Sequence, residues 1–317
     1  MKISKLISIS TFVLILALFL LFQACEKSPT KPSYKTQNVF IIVVDGARYT
    51  DTWGEATHQF IPYRSVLLKQ GVLCNNFYNN GFTFTCSGHQ AMCTGVYEDI
   101  NNNGTQYPTN PSIFQYWLKT TSEPKSKAWI VATKDKLEIL SDCLDPLWNG
   151  KFRPSTDCGV NGLFTGYRED SVTFNHLKTI VTNNQVRLAI VNFKQPDAAG
   201  HAGDSLAYLQ GIRDTDKYIR DFWKMLQNDP KYKNKTTLIV TNDHGRHTAG
   251  HADGYISHGD LCEGCRHVEF FGLGPDFKKN HTCETLYEQV DIANTVAEML
   301  HFKIPTSTGR VMKDVFK

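Results

Sequence analysis

NVFIIVVDG, residues 38–46, decides the fold. Apolar, largely β-branched residues run without a polar break into Asp45-Gly46, the pattern of a buried strand that ends in a turn. A strand with no polar alternation is covered on both faces, as strands of parallel sheets are. Similar runs recur at 128–132, 188–193, 237–241 and 268–273. Stretches of helical period lie among them at 112–119, 171–181, 205–226 and 285–300. Asp204-Ser205 suits a helix start. This alternation predicts an α/β fold with a mostly parallel central sheet and helices on both faces. No repeat or low-complexity linker follows residue 36, so 37–317 reads as a single domain.

Ahead of that domain come Lys2 and Lys5, an apolar stretch from Leu6 to Phe22, then Gln23-Ala24-Cys25. A basic start, an apolar middle and a small residue before the break predict a signal peptide over 1–24. A cysteine directly after the small residue points to the lipoprotein type. Cys25 would then carry a lipid anchor to a membrane, residues 25–36 would form a tether, and the exported chain would reside in the cell envelope or periplasm. A plain signal and an uncleaved anchor are the alternatives. Removing Lys2 and Lys5 lowers the formal charge from +3 to +1, which leaves no bulk electrostatic case for a nucleic-acid polymer as partner. The composition, 41% apolar and 21% charged, is that of an ordinary globular protein. Beyond Cys25 stand Cys74, Cys86, Cys93, Cys143, Cys158, Cys262, Cys265 and Cys283. An even number in an exported chain permits disulfides, with Cys143–Cys158 and Cys262–Cys265 the first pairs to consider. Cys262-Glu-Gly-Cys265 is also a redox or zinc half-site, but without a second Cys-x-x-Cys the reading as a small structural loop is preferred.

Candidate metal ligands sit at or near the ends of apolar runs or beside glycine. They are Asp45, Asp197 and His201 in DAAGH, Asp243 and His244 in NDHGR, and His258 in SHGD. Asp45 alone is an ordinary Asp-Gly turn. Asp197 and His201, four apart, can reach one cation. Asp243-His244 puts two ligand types side by side before a glycine. In open α/β sheets such strand ends line one crevice. Six ligands in four short stretches supply three for each of two divalent cations, the requirement of two-metal phosphoryl chemistry. His251 is the rival of His258 for the last position.

A nucleophile is offered by FTFTCSGHQAMCTG, residues 82–95, a hydroxyl- and glycine-rich turn leading into a helical pattern. This segment resembles the nucleophile loop of the alkaline phosphatase superfamily. It is most similar to the branch of nucleotide pyrophosphatase/phosphodiesterases, phosphate-irrepressible alkaline phosphatases and phosphonoacetate hydrolase. That branch has a threonine four residues before the position of His89 and a following Thr-Gly, here Thr94-Gly95. The resemblance extends from VVDGAR at 43–48 to VDIANTVAEML at 290–300. It implies that Thr85 is the nucleophile, with Asp197, His201 and His258 on one metal and Asp45, Asp243, His244 and the Thr85 oxygen on the other. It also implies zinc, which suits mixed Asp/His ligation, and a phosphothreonine intermediate. Ser87 and Thr83 are neighbours outside this register. Cys86 lacks the Cys-x-Pro/Ala-x-Arg context of formylglycine sulfatases.

Thr133-Lys134-Asp135-Lys136 follows the run at 128–132. It resembles both the Lys-Asp-Arg segment of phosphate-irrepressible alkaline phosphatases and the Lys-Asp-Lys segment of phosphonoacetate hydrolase. Lys134 and Lys136 would neutralise charge that a monoester or small phosphonate has and a diester lacks. The bland reading is a solvated basic loop. The family's phosphate-holding asparagine, about twenty residues after the threonine, corresponds best to Asn103, with Asn101 and Asn102 adjacent and the usual His-Gly missing. The expected function is an exported two-metal hydrolase of phosphate monoesters. The alternatives are a phosphodiesterase, nucleotide pyrophosphatase or phosphonate hydrolase on the same metal core, and a surface lipoprotein that binds metal without turnover.

Overall fold

The computed structural model describes residues 33–317; the signal segment 1–24, Cys25 and most of the tether lie outside the described residues. The strands are β1 (Asn38–Val44), β2 (Gly71–Cys74), β3 (Phe77–Tyr78), β4 (Ala128–Ala132), β5 (Ser155–Cys158), β6 (Leu188–Phe193), β7 (Thr236–Thr241), β8 (Phe270–Leu273), β9 (His281–Cys283) and β10 (Tyr287–Glu288). The helices are α1 (Pro62–Leu67), α2 (Thr85–Thr94), α3 (Ile113–Thr121), α4 (Asp170–Asn184), α5 (Gln195–His201), α6 (Ser205–Asn228), α7 (Glu263–Arg266) and α8 (Gln289–Met299).

Eight strands form one sheet in the order β5-β4-β6-β1-β7-β8-β2-β9, and β3 pairs with β10 apart from it. From β5 to β7 every pairing is parallel, with β1 at the centre between β6 and β7. β8 runs antiparallel to both β7 and β2. Alternate residues of β1 enter two different cores. Val39, Ile41 and Val43 pack with Met92 of α2, Phe114 of α3 and Val296 of α8. Phe40, Ile42 and Val44 pack with Leu177 of α4 and Ile219 and Phe222 of α6. An unbroken apolar strand is what two covered faces demand.

The helical expectations for α3, α4, α6 and α8 hold to within a few residues at each end. Two features depart from the sequence reading. The segment around Asp197, read as a strand end, is the helix α5, with Pro196 in its first turn. Four residues apart on a helix share a face, so Asp197 and His201 project together. Tyr34–Thr36, expected in the tether, pack on the domain. The Thr36 N–H donates to Asp276 Oδ2 at 2.8 Å, its hydroxyl lies 2.7 Å from Thr237 Oγ1, and the compact unit runs from Tyr34 to Lys317. Among the described residues no helix is long and apolar enough to cross a membrane.

One buried ionic network ties the second face together. Arg64 of α1, fully buried, donates from Nε to Asp216 of α6 at 3.0 Å and from Nη1 to Glu269 beside β8. Trp53 Nε1 donates to the other Glu269 oxygen at 2.6 Å, and Asp216 also accepts the Tyr63 and Arg64 N–H groups at the start of α1. Removing the cation strands two carboxylates without water. Arg64→Met is therefore expected to cost about 3–5 kcal/mol, measured as a shift in the denaturant midpoint; a change near zero would contradict the network's role.

Candidate active site

Four neighbouring parallel strands deliver the central side chains to one edge of the sheet. In spatial order, β4 leads to Lys134, β6 to Asp197 in the first turn of α5, β1 to Asp45, and β7 to Asp243-His244. The carboxyl ends of adjacent parallel strands point the same way, so residues far apart in the chain meet there. The turn after Asp45 needs glycine. Gly46 has φ +66°, and a Cβ on it would lie 2.8 Å from Asp197 Oδ1.

Asp197, His201 and His258 form a triangle. His201 Nε2 is 3.1 Å from His258 Nε2 and 3.4 Å from Asp197 Oδ1, and His258 Nε2 is 3.5 Å from that same oxygen. Ligands at zinc–N/O distances of about 2.0–2.2 Å stand roughly 3.3–3.6 Å apart on a tetrahedron. The triangle therefore suits one cation. His258 Nδ1 is 2.7 Å from the Thr83 carbonyl, which assigns the proton to Nδ1 and leaves Nε2 as the donor atom. His251, the rival, lies instead against Asp260 at 2.9 Å.

The second set is Asp45, Asp243 and His244, all fully buried. His244 Nε2 lies 3.4 Å from Asp243 Oδ2 and 3.7 Å from Asp45 Oδ1, while its Nδ1 meets the Gly245 carbonyl at 2.9 Å. Asp243 Oδ2 and His244 Nε2 are buried without a hydrogen-bond partner. Two orphaned buried ligand atoms facing each other are costly unless something binds them. The donor set fits a divalent cation.

Thr85 opens α2, and Lys134 joins it to both sets of ligands. The ammonium is 2.7 Å from Asp197 Oδ2, 2.9 Å from Asp45 Oδ1 and 3.1 Å from Thr85 Oγ1. Lys134 is thus not on a solvated basic loop. Its charge stands between the carboxylates, in the position where cationic neutralisation is needed. Lys136, also buried, donates to the Asn102 backbone carbonyl at 2.9 Å and to Asn102 Oδ1 at 3.0 Å. The Cys86 N–H at the start of α2 donates to the same amide oxygen at 3.0 Å. Asn102, not Asn103, therefore meets the nucleophile helix. Asn103 is exposed and accepts from the Thr105 N–H and hydroxyl, because the turn that ends at Gly104, with φ +80°, points it outward.

Charge and burial compete here. Burial works against the Asp197 carboxylate, but Lys134, His244, His258 and Arg246 outweigh it and hold its pKa well below the usual range. Burial and then the nearby Asp45 push Asp243 well up. Burial drives the His258 and His89 imidazoles down to about 4, and His244 also well down. All three histidines are thus neutral at physiological pH, as ligands or supports must be. Lys134 is raised, since Asp197, Asp45 and Asp243 outweigh its desolvation.

Three supporting residues were not among the expected site residues. Asn192 donates to Asp45 Oδ2 at 2.8 Å and touches His89 Nε2 at 3.2 Å; His89 Nδ1 in turn meets the Thr85 carbonyl at 2.8 Å. Arg246 donates to Asp197 Oδ1 and to the carbonyls of Tyr255 and Ile256, binding the loop that carries His258. The available signals were a polar residue inside the apolar run 188–193 and a charge directly after Asp243-His244-Gly245.

The sheet and paired Asp/His sets define a class, the alkaline phosphatase superfamily. A family model described as type I phosphodiesterase / nucleotide pyrophosphatase matches residues 39–263, and the chain belongs to that family. A GPI ethanolamine phosphate transferase 1 from Saccharomyces cerevisiae is 24% identical over 73% of this chain and 27% of its own length. A bis(5'-adenosyl)-triphosphatase from Xenopus laevis is 23% identical over 74% of this chain and 52% of its own length. The chain thus spans about half or less of these two relatives. Among solved structures, the alkaline phosphatase PafA superimposes with TM-score 0.69 at 11% identity, covering 90% of this chain and 99% of that one.

Proposed function

We propose that this chain is a two-zinc phosphohydrolase that uses Thr85 as its nucleophile and favours phosphate monoesters. One observation carries the reading. Thr85 Oγ1 shares the Lys134 ammonium with Asp45 and Asp197, one carboxylate from each ligand set. Asp45, Asp243 and His244 would hold one ion, with Thr85 beside it, and Asp197, His201 and His258 the other. Mixed carboxylate and imidazole ligation suits zinc. When bound, such ions supply Lewis acidity that favours an alkoxide at neutral pH and offsets charge on a departing oxygen.

The chain's own residues do the rest. Thr85 opens α2, so its oxygen stands at the positive end of a helix, and the Cys86 N–H and Lys136, which meet at Asn102 Oδ1, are the donors nearest to hold phosphoryl oxygens. Oγ1 gives up its proton to solvent and bonds to phosphorus as the ester P–O bond on the opposite side breaks, giving phosphothreonine and an alcohol that takes its proton from solvent. Water then attacks the same phosphorus, releasing phosphate and restoring the hydroxyl. His89 and Asn192 fix the Thr85 backbone relative to Asp45.

Two buried ammonium groups near Thr85 favour a substrate with the extra charge of a monoester. A diester reading has its own support: Lys134 pairs inward with Asp45 and Asp197, which leaves Lys136, held by Asn102, as the one of the two lysines not paired to a ligand carboxylate. The relative named as a dinucleoside triphosphatase points the same way. Comparing turnover of a nitrophenyl monoester and diester before and after Lys134→Ala separates the two. The monoester rate is expected to fall by at least tenfold more than the diester rate; equal losses would remove the case for monoesters.

The substrate class is a small phosphate or phosphonate ester, with no nucleic-acid polymer as partner. The pattern of residues 1–25 supports export and a lipid anchor at Cys25. Labelling with a radioactive fatty acid, in wild type and Cys25→Ser, tests the anchor.

A further inference from the structure

Beyond the two ligand sets, His247, Asp260, Cys262 and Cys265 converge on one point of the loop between Gly245 and α7, the loop that also carries His258. One ligand atom from each lies within 4.8 Å of the other three. Cys262-Glu-Gly-Cys265 is half of a metal site in sequence; folding brings up a histidine and an aspartate as the other half.

His247 is the telling residue. It is only 7% exposed, and its Nδ1 lies 2.8 Å from Asp253 Oδ1. Nδ1–H donates to the carboxylate, so Nε2 bears the lone pair. That Nε2 is buried with no hydrogen-bond partner, and it is 3.3 Å from Asp260 Oδ2, the edge length of a tetrahedral site. A carboxylate behind an imidazole whose far nitrogen is bare is how metal-binding histidines are oriented. Asp260 is anchored by the Cys262 N–H at 2.9 Å on Oδ1, and its Oδ2 also meets the exposed His251 at 2.9 Å. The Cys265 N–H donates to the Cys262 carbonyl at 3.1 Å, closing the tight turn that carries both sulfurs.

We propose that His247, Asp260, Cys262 and Cys265 bind a third divalent transition-metal ion, zinc by its donor chemistry, separate from the catalytic pair. Uptake forms two metal–sulfur, one metal–nitrogen and one metal–oxygen bond, and the two thiol protons pass to solvent. The ion clamps the loop between His244 and His258 at its far end. Arg246 grips the same loop at Tyr255 and Ile256. The site stands whether or not the catalytic assignment does, because neither catalytic set contains sulfur.

Cobalt(II) makes the test selective. The full chain, prepared with reductant and reconstituted with cobalt, is expected to show thiolate-to-cobalt charge-transfer absorption in the near ultraviolet. That band should persist in Thr85→Ala and Asp45→Asn and vanish in the Cys262→Ser/Cys265→Ser double variant. Elemental analysis of the zinc form should fall by one equivalent per chain in the double variant. Asp260→Asn, a milder change, should weaken cobalt binding at this band at least tenfold if the serine variants fail to fold. A reduced wild-type chain with no such band overturns the proposal, as does a band that survives in the double variant. A Cys262–Cys265 disulfide that still gives no band once reduced overturns it too.

Discussion

Thr85→Ala is expected to lower ester turnover by roughly 10³-fold or more, with bound metal and melting temperature close to those of the wild type. The side chain is 1% exposed, and among the described residues its one side-chain hydrogen bond is accepted from Lys134, so its loss removes little packing. What it removes is the atom that bonds to phosphorus. Thr85→Ser should keep much of the rate, because a hydroxyl remains at the start of α2. Trapping radiolabelled phosphate on the chain in acid separates this mechanism from direct attack by water. Label should appear with wild type and be absent from the alanine variant. Activity surviving in Thr85→Ala would mean a different nucleophile.

Stripping the chain of divalent ions is expected to be as severe. The ions are asked for several kcal/mol of charge stabilisation, which corresponds to roughly 10³-fold or more in rate. Zinc added back should restore activity, and hydrolysis that continued after chelation would end the two-metal reading. Removal should also expose an acid weakness. His89 and His258 have folded pKa values of about 4, below the ordinary 6.5, and His244 is lowered too. Below pH 6.5 the unfolded chain takes up protons that the fold refuses, so the stability these groups contribute is complete above 6.5 and is lost as pH falls toward 4. Asp243, raised by burial, runs the other way but is a single group against three. The melting temperature of the metal-free chain should therefore fall by several degrees between pH 7 and 5. A flat profile would show that these imidazoles are not held neutral by burial.

The amino-acid order alone determined the layering. An unbroken apolar run at 38–44 requires two covered faces, and helical periods at 112–119, 171–181 and 205–226 supply the covers. It also determined which chemistry-bearing residues exist, since Asp45, Asp197, Asp243 and their histidines flank those runs, and parallel strands must bring their carboxyl ends together. Distance and direction were decided only by tertiary structure. Nothing local distinguishes Asn102 from Asn103, and a turn at Gly104 settles which amide faces Lys136. Asn192 and Arg246 act on carboxylates 147 and 49 residues away, and His247 and Asp260 complete a Cys-x-x-Cys from outside it. Such pairings are set by how strands and loops pack, because a side chain's partner in three dimensions is fixed by contacts that the linear neighbourhood does not contain.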